Sequence, residues 1–295
     1  MDTDVVDTVE TDAAGGRSWT AAHASGTIVH LLGGPYVDAG GLRQEVPQGS
    51  KQLLAFVALR RQRVGRRQAA ETLWPDAQEE RAAGNLRSAL WRLRRAGIDV
   101  LLADKWSLEL GRHVRVDLEI MDQWATRMIN GTESAADLAV APLGAGTWEV
   151  LPGWYDDWVL VERERLRQRM MHAVEALSRK LVRAGRFADA VEAAIIAVGV
   201  DPLRESAQRA LIEAHLAEGN QSEACRIWQD YRDLLRRELG VNPSGNLLTA
   251  LNRLGERRHL TQGRDGCPDN TGAVRIGSRR NAQVSAIACH DGTCK

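Results

Sequence analysis

Apolar and polar positions divide the chain into stretches of different period. Residues 1–26 are polar without periodicity and are read as a disordered tail. Ordered chain begins at the apolar run Ile28 to Leu32. Gly33-Gly34-Pro35, Gly40-Gly41 and a weak alternation from Leu42 to Val46 then predict two or three short antiparallel strands. With Ser50 as N-cap, Leu53, Leu54, Val57 and Ala58 form a helical stripe. Gly65 breaks the chain. A short helix follows over about 66–73, ended by Trp74-Pro75-Asp76, and a third covers about 81–95 and stops at Gly97. Val100 to Leu102 and Trp106 to Leu110, separated by Ala103-Asp104-Lys105, have the pattern of a hairpin. Strands, three helices and a terminal hairpin in this order describe a winged helix-turn-helix over residues 27–116.

The pattern changes after residue 117. A connecting helix is predicted over 117–130, then a looser stretch to about 153, containing Pro142, Gly144, Gly146 and Pro152, is read as a linker (about 131–153) with a short helix inside. From Asp156 to about Leu254 the period is helical, with turns marked by Gly185, Gly199, Gly219 and Gly240 and by Pro202 and Pro243. An internal repeat runs through it. Ala184 to Ala190 echoes Glu218 to Ala224, and both the turn glycines and the alanines are 34 positions apart, the TPR period. The long helix over about 157–184 is expected to cap this short array. Residues 256–295 lose all pattern and are read as a second disordered tail. The expected fold class is mainly α with a small β component: a winged helix-turn-helix domain followed by a TPR-like all-α helical domain, at 117–255.

Charge sharpens the first half. Lys and Arg number 39, as do Asp and Glu, so net charge offers no general case for nucleic acid. The distribution does. The first twelve residues are acidic, whereas arginines gather at Arg60, Arg61, Arg63, Arg66 and Arg67 and again at Arg87, Arg92, Arg94 and Arg95. In the third helix Leu86, Ala89, Leu90 and Leu93 face the core, which turns Asn85, Arg87, Ser88, Trp91, Arg92, Arg94 and Arg95 outward. That face holds four guanidinium groups and no acid. A B-DNA major groove accepts a helix of this width, where Arg pairs with guanine and Asn with adenine. The bland alternative is a solvated charged face. Trp91 is expected to pack, on a sugar, a thymine methyl or the wing. Arg63, Arg66 and Arg67, at the turn between the first two helices, and Lys105, near the tip of the wing, are the candidates for phosphate contacts; Lys105 could instead enter the minor groove, and some of the arginines could serve only to solvate the surface.

Other chemistry is thin. The chain has no phosphate-binding glycine loop, no dinucleotide fingerprint, no zinc-protease helix and no serine nucleophile elbow. It is therefore read as a non-enzyme with no cofactor. Cys267, Cys289, His290 and Cys294 have the donors of a zinc site but irregular spacing, and no metal is expected. No apolar run spans a membrane and no signal peptide is visible, so the expected location is cytoplasmic and nucleoid-associated. Trp154-Tyr155-Asp156-Asp157-Trp158 is expected to anchor the first long helix, with a binding surface as its alternative.

These residues resemble a family. Leu31-Leu32-Gly33, Asn85 to Arg94 and Val114-Arg115-Val116-Asp117 look like the DNA-binding domain of SARP-type regulators, actinobacterial activators of antibiotic and other secondary-metabolite gene clusters. Trp154 to Trp158 with Glu162 to Leu166, Asp201-Pro202-Leu203-Arg204-Glu205, and Glu238 to Val241 with Pro243 are similar to their bacterial transcriptional activation domain. The resemblance covers about residues 28–255. It implies dimeric binding to direct repeats in double-stranded DNA upstream of promoters, recruitment of RNA polymerase, and a short-form member with no NTPase module. The rival readings are a TPR-like protein-interaction scaffold and a ligand-sensing regulator.

Overall fold

The computed structural model describes residues 26–139, 148–245 and 247. Both tails, apart from residue 26, and the three tail cysteines lie outside these residues. The described chain is mainly helical with two small sheets, as the patterning implied. Strands β1 (Thr27–His30), β2 (Tyr36–Ala39) and β3 (Leu42–Glu45) form the expected antiparallel meander, with Val29 opposite Val37. A fourth strand, β7 (Val114–Val116), joins the free side of β1 in parallel, giving the order β3-β2-β1-β7. Its pairing brings together residues more than eighty positions apart, which local patterning does not reveal.

Helix α1 (Lys51–Arg60) lies at the centre of the N-terminal half. All seven residues from Leu53 to Leu59 are buried, more than the one stripe expected. A helix covered on every side needs no polar face. Ser50 stands at its N-cap, but the hydroxyl donates to the Ala89 carbonyl of α3 at 2.8 Å instead of capping α1. Short strand β4 (Val64–Gly65) follows, then α2 (Arg66–Leu73) and α3 (Glu79–Arg95). Helix α3 begins two residues earlier than expected. Glu79 and Glu80 in its first turn and Arg92, Arg94 and Arg95 in its last complement the helix dipole, and Gly97, at φ +73°, turns the chain out of it.

The hairpin β5 (Leu101–Ala103) and β6 (Ser107–Leu110) closes the winged fold. Strand β6 also pairs with β4, so the sheet has the order β4-β6-β5. This ties the start of α2 to the wing.

Helix α4 (Asp117–Asn130) leads into the helical half. There α5 (Asp157–Arg183), α6 (Phe187–Val200), α7 (Glu205–Glu218) and α8 (Gln221–Leu239) pack in succession. The repeat seen in the sequence corresponds to two helical hairpins, α5/α6 and α7/α8. Gly185 and Gly219 make the turns at φ +73° and +103°, and Ala190 and Ala224 are fully buried just beyond them. Of the stretch read as a linker, the described residues include a 3-10 turn, Ala135–Leu138, and the fully buried Val150 and Leu151.

One hydrophobic core runs from Val29 in β1 to Ala214 in α7. Its middle is fastened by a buried carboxylate. Asp117 accepts the backbone N–H groups of Leu31 and Leu32, each at 3.0 Å, and of Leu118 at 2.8 Å. Phe56 of α1 meets the Trp158 ring of α5 edge-on at 5.3 Å, so Trp158 anchors the long helix as expected of its motif.

Candidate nucleic-acid interface

Helix α3 is amphipathic, and its two faces do different work. Leu86, Ala89, Leu90 and Leu93 are buried. Opposite them, at 100° per residue, stand Gly84, Arg87, Ser88, Trp91 and Arg95. Arg87, Ser88, Trp91, Arg92, Arg94 and Arg95 are exposed and Asn85 is half-buried. Among the described residues, no carboxylate pairs with any of the four arginines. Arg95 lies over the Trp91 ring at 5.2 Å, and the indole remains 58% exposed, facing away from the protein. Arg92 reaches sideways, with its guanidinium 3.3 Å from the Gly49 carbonyl. Asn85, seven positions earlier, shares that flank.

The basic residues around α2 are arranged differently. Arg63 donates to Ser107 Oγ at 2.5 Å and is ion-paired to Asp104 in the wing turn. The Arg66 backbone N–H donates to the Trp106 carbonyl at 2.9 Å, while its guanidinium reaches the Asp104 carbonyl at 3.2 Å. Arg67 pairs with Glu71 at 2.7 Å and lies 3.5 Å from Glu79. These three side chains therefore hold the wing or carry a counter-charge. Arg63 and Arg67 nevertheless keep well over half of their side-chain surface exposed. Lys105 sits at the wing turn with its ammonium 4.9 Å from the Trp106 ring centre.

Between α2, the start of α3 and the wing lies an open cleft of about 480 Å³, bordered by Arg66, Arg67, Arg87 and Lys105. It joins the exposed face of α3 to the wing. Glu71 and Glu79 line it too, both beside Arg67, so Arg66, Arg87 and Lys105 are the cations that suit it to a polyanion chain.

Sequence reasoning missed what organises the wing. Asp104 accepts the backbone N–H groups of Trp106 and Ser107, both at 2.7 Å. These two bonds, led by that from Trp106 and joined by Arg63, hold its carboxyl down at about 2. An Asp opening a three-residue turn is a recognisable Asx signal. The Arg63 partner was less visible, because it lies 41 positions away.

Known proteins are similar to this chain. The family model described as "Bacterial transcriptional activator domain" matches residues 122–254. Those residues are therefore similar to a bacterial transcriptional activator domain. Regulatory protein AfsR of Streptomyces griseus is 28% identical over 221 residues, 70% of this chain, and AfsR of Streptomyces coelicolor is 28% identical over 211 residues, or 68%. This chain spans only 22% and 21% of those two relatives. The solved structure of Mycobacterium tuberculosis EmbR in complex with a low affinity phosphopeptide is similar with a TM-score of 0.64 at 21% identity, covering 78% of this chain and 65% of that one. Its fold, too, places a winged helix before a helical domain. The resemblance to SARP-type regulators carried by the sequence is thereby borne out.

In the matched region, the motif around Asp201 to Glu205 forms a polar hub. Arg204 donates to buried Glu175 of α5 at 2.6 Å and to Gln168 at 3.0 Å, and Ser206 Oγ donates to the same Glu175 oxygen at 2.7 Å. The Tyr231 hydroxyl of α8 donates to the Leu203 carbonyl at 3.1 Å, and burial, foremost, pushes its pKa up to about 12. Nearer the winged half, Arg163 donates to the carbonyls of Val150, Leu151 and Trp154. This secures Leu151, a non-glycine residue held at φ +48°. Asp122 of α4 faces Arg169 at 2.7 Å and Arg165 at 3.6 Å. Among the described residues, no group of three or more metal-ligating side chains occurs, and no helix is long and apolar enough to cross a membrane.

Proposed function

We propose that this chain is a sequence-specific, DNA-binding transcriptional activator. Residues 27–116 serve as its DNA-binding domain and 117–255 as the domain that activates. One observation carries the reading most: the outward face of α3 presents Arg87, Arg94 and Arg95 with no carboxylate partner among the described residues, at the position where a winged fold presents its recognition helix. Guanidinium groups without a counter-charge on a rigid helix suit bidentate reading of guanine. Asn85, Ser88, Trp91 and Arg92 border that surface. Arg66, Arg67 and Lys105 border the adjoining cleft and, with Arg63 at the wing turn, take phosphates.

The family resemblance supports the rest of the proposal. The chain binds direct repeats upstream of promoters as a homodimer and recruits RNA polymerase through its activator domain. It acts in the cytoplasm, at the nucleoid, on a secondary-metabolite gene cluster, and needs neither cofactor nor catalysis.

The test is footprinting of the full chain on labelled genomic fragments. Protection of two direct repeats next to a promoter is the expected result. Binding to all fragments alike would overturn the sequence-specific reading and favour a protein-interaction scaffold.

A further inference from the structure

The outward face of α3 has a crest, and an aromatic ring tops it. At 100° per residue, Gly84, Trp91 and Arg95 fall within about 20° of the direction opposite the middle of the buried face. Arg87 and Arg94 stand about 60–80° to one side, and Arg92 and Asn85 about 80–100° to the other. Gly84 has no side chain, so Trp91 and Arg95 project farthest. The indole is 58% exposed, and Arg95, one turn on, lies over it at 5.2 Å. The tryptophans that line the cleft towards the wing are Trp74 and Trp106, not Trp91. The wing therefore leaves this ring uncovered, and an exposed indole forgoes burial that most tryptophans obtain.

With α3 seated in a major groove, the crest meets the groove floor. That floor offers hydrogen-bonding oxygens, nitrogens and amino groups, and one bulky apolar group, the thymine C5 methyl. An indole face laid on a polar base edge strips water from it and returns no hydrogen bond. Laid on the methyl group, the same face buries apolar surface on both sides. Arg95 adds a neighbour. Stacked on the ring, its guanidinium is held beside the methyl contact, and among the described residues no carboxylate takes its donors. They match the O6 and N7 of a guanine.

We propose that Trp91 reads the C5 methyl group of a pyrimidine in the major groove, and that Arg95, held on its ring, reads an adjoining guanine. The inference rests on the base reading by α3 proposed above and names the step that the crest selects, thymine beside guanine. 5-Methylcytosine carries the same methyl group at the same place. Methylation of a cytosine at this position therefore substitutes for thymine.

The experiment uses a duplex selected from random sequence by the full chain, with binding read by fluorescence anisotropy. Each thymine is replaced in turn by uracil, which keeps the pairing and removes only the methyl group. At one position in each bound repeat, uracil is expected to weaken wild type about fourfold, the worth of one buried methyl group. Trp91→Ala should bind the thymine and uracil duplexes alike, whereas Trp91→Phe should still tell them apart. At that position 5-methylcytosine should bind wild type about fourfold more tightly than cytosine, and Trp91→Ala equally. Arg95→Ala should lose the preference for guanine in the adjoining pair. Thermal melting of all three variants should match wild type, as the exposure of both side chains implies. A selected duplex in which no uracil weakens wild type would overturn this inference alone, as would a Trp91→Ala variant that keeps the full sensitivity to uracil. Failure of wild type to select any duplex would overturn the DNA-binding reading beneath it.

Discussion

Two sets of arginines, one on α3 and one in the helical half, have opposite surroundings. In the helical half, Arg204 is closed onto Glu175, Arg169 onto Asp122 and Arg167 onto Asp201, while Arg163 spends its donors on three backbone carbonyls. On α3, Arg87 and Arg94 meet no carboxylate among the described residues. The first set holds helices together. The second adds self-repulsion without joining anything, so folding does not account for it and an anionic partner does. Between them stand Arg63, which braces the wing turn, and Arg67, which lines the cleft, both ion-paired yet largely exposed.

Substitutions can break this contrast. The largest effect is expected at Asp117, where alanine would strand the buried N–H groups of Leu31, Leu32 and Leu118. Asp117→Ala should cost about 3–5 kcal/mol in urea unfolding. The core is continuous from β1 to α7, so the two halves should unfold together at lower urea. Loss of the winged half alone would show that the junction is weaker than its contacts imply. Next comes Arg204→Ala, which leaves Glu175 buried without its cation and should cost about 3 kcal/mol by the same assay.

The α3 arginines should behave in the opposite way. Arg87→Ala and Arg94→Ala should each change folding stability by less than about 0.5 kcal/mol, yet weaken DNA binding by about 1–3 kcal/mol in anisotropy titrations. Arg67→Ala, already partly neutralised by Glu71 and Glu79, should weaken every sequence alike and by less. A pH titration gives the smallest effect. Folding lowers the Asp104 carboxyl from the ordinary 3.8 to about 2. Its contribution to wing order is therefore full above about pH 4 and disappears as pH falls towards 2. Trp106 emission, compared with that of Trp106→Phe, should report the change in that window. A wing that disorders near neutral pH would remove Asp104 from this role.

Local period made much of the architecture legible. Leu86, Ala89, Leu90 and Leu93 define the buried side of α3, and the 34-residue echo locates both helical hairpins. What escaped was contact between distant segments. The pairing of β7 with β1, the bridge of Leu32 to Val150, and the Ser50 hydroxyl turned to Ala89 each join residues that share no local pattern. At the candidate interface the exposed arginines were readable, because a helical wheel needs only one element. The bracing of Arg63 by Asp104 and the exposure of Trp106 were not, since both depend on how β4, α2 and the wing meet.

The most direct test of the central claim, that the exposed face of α3 reads bases, is a binding profile of wild type and Arg87→Ala against every single-base variant of a duplex selected by the full chain. The account predicts that Arg87→Ala loses discrimination at one base pair and keeps it at the others. A uniform loss across all variants would make Arg87 a phosphate contact, and the same outcome for Arg94 and Arg95 would contradict base reading by this helix.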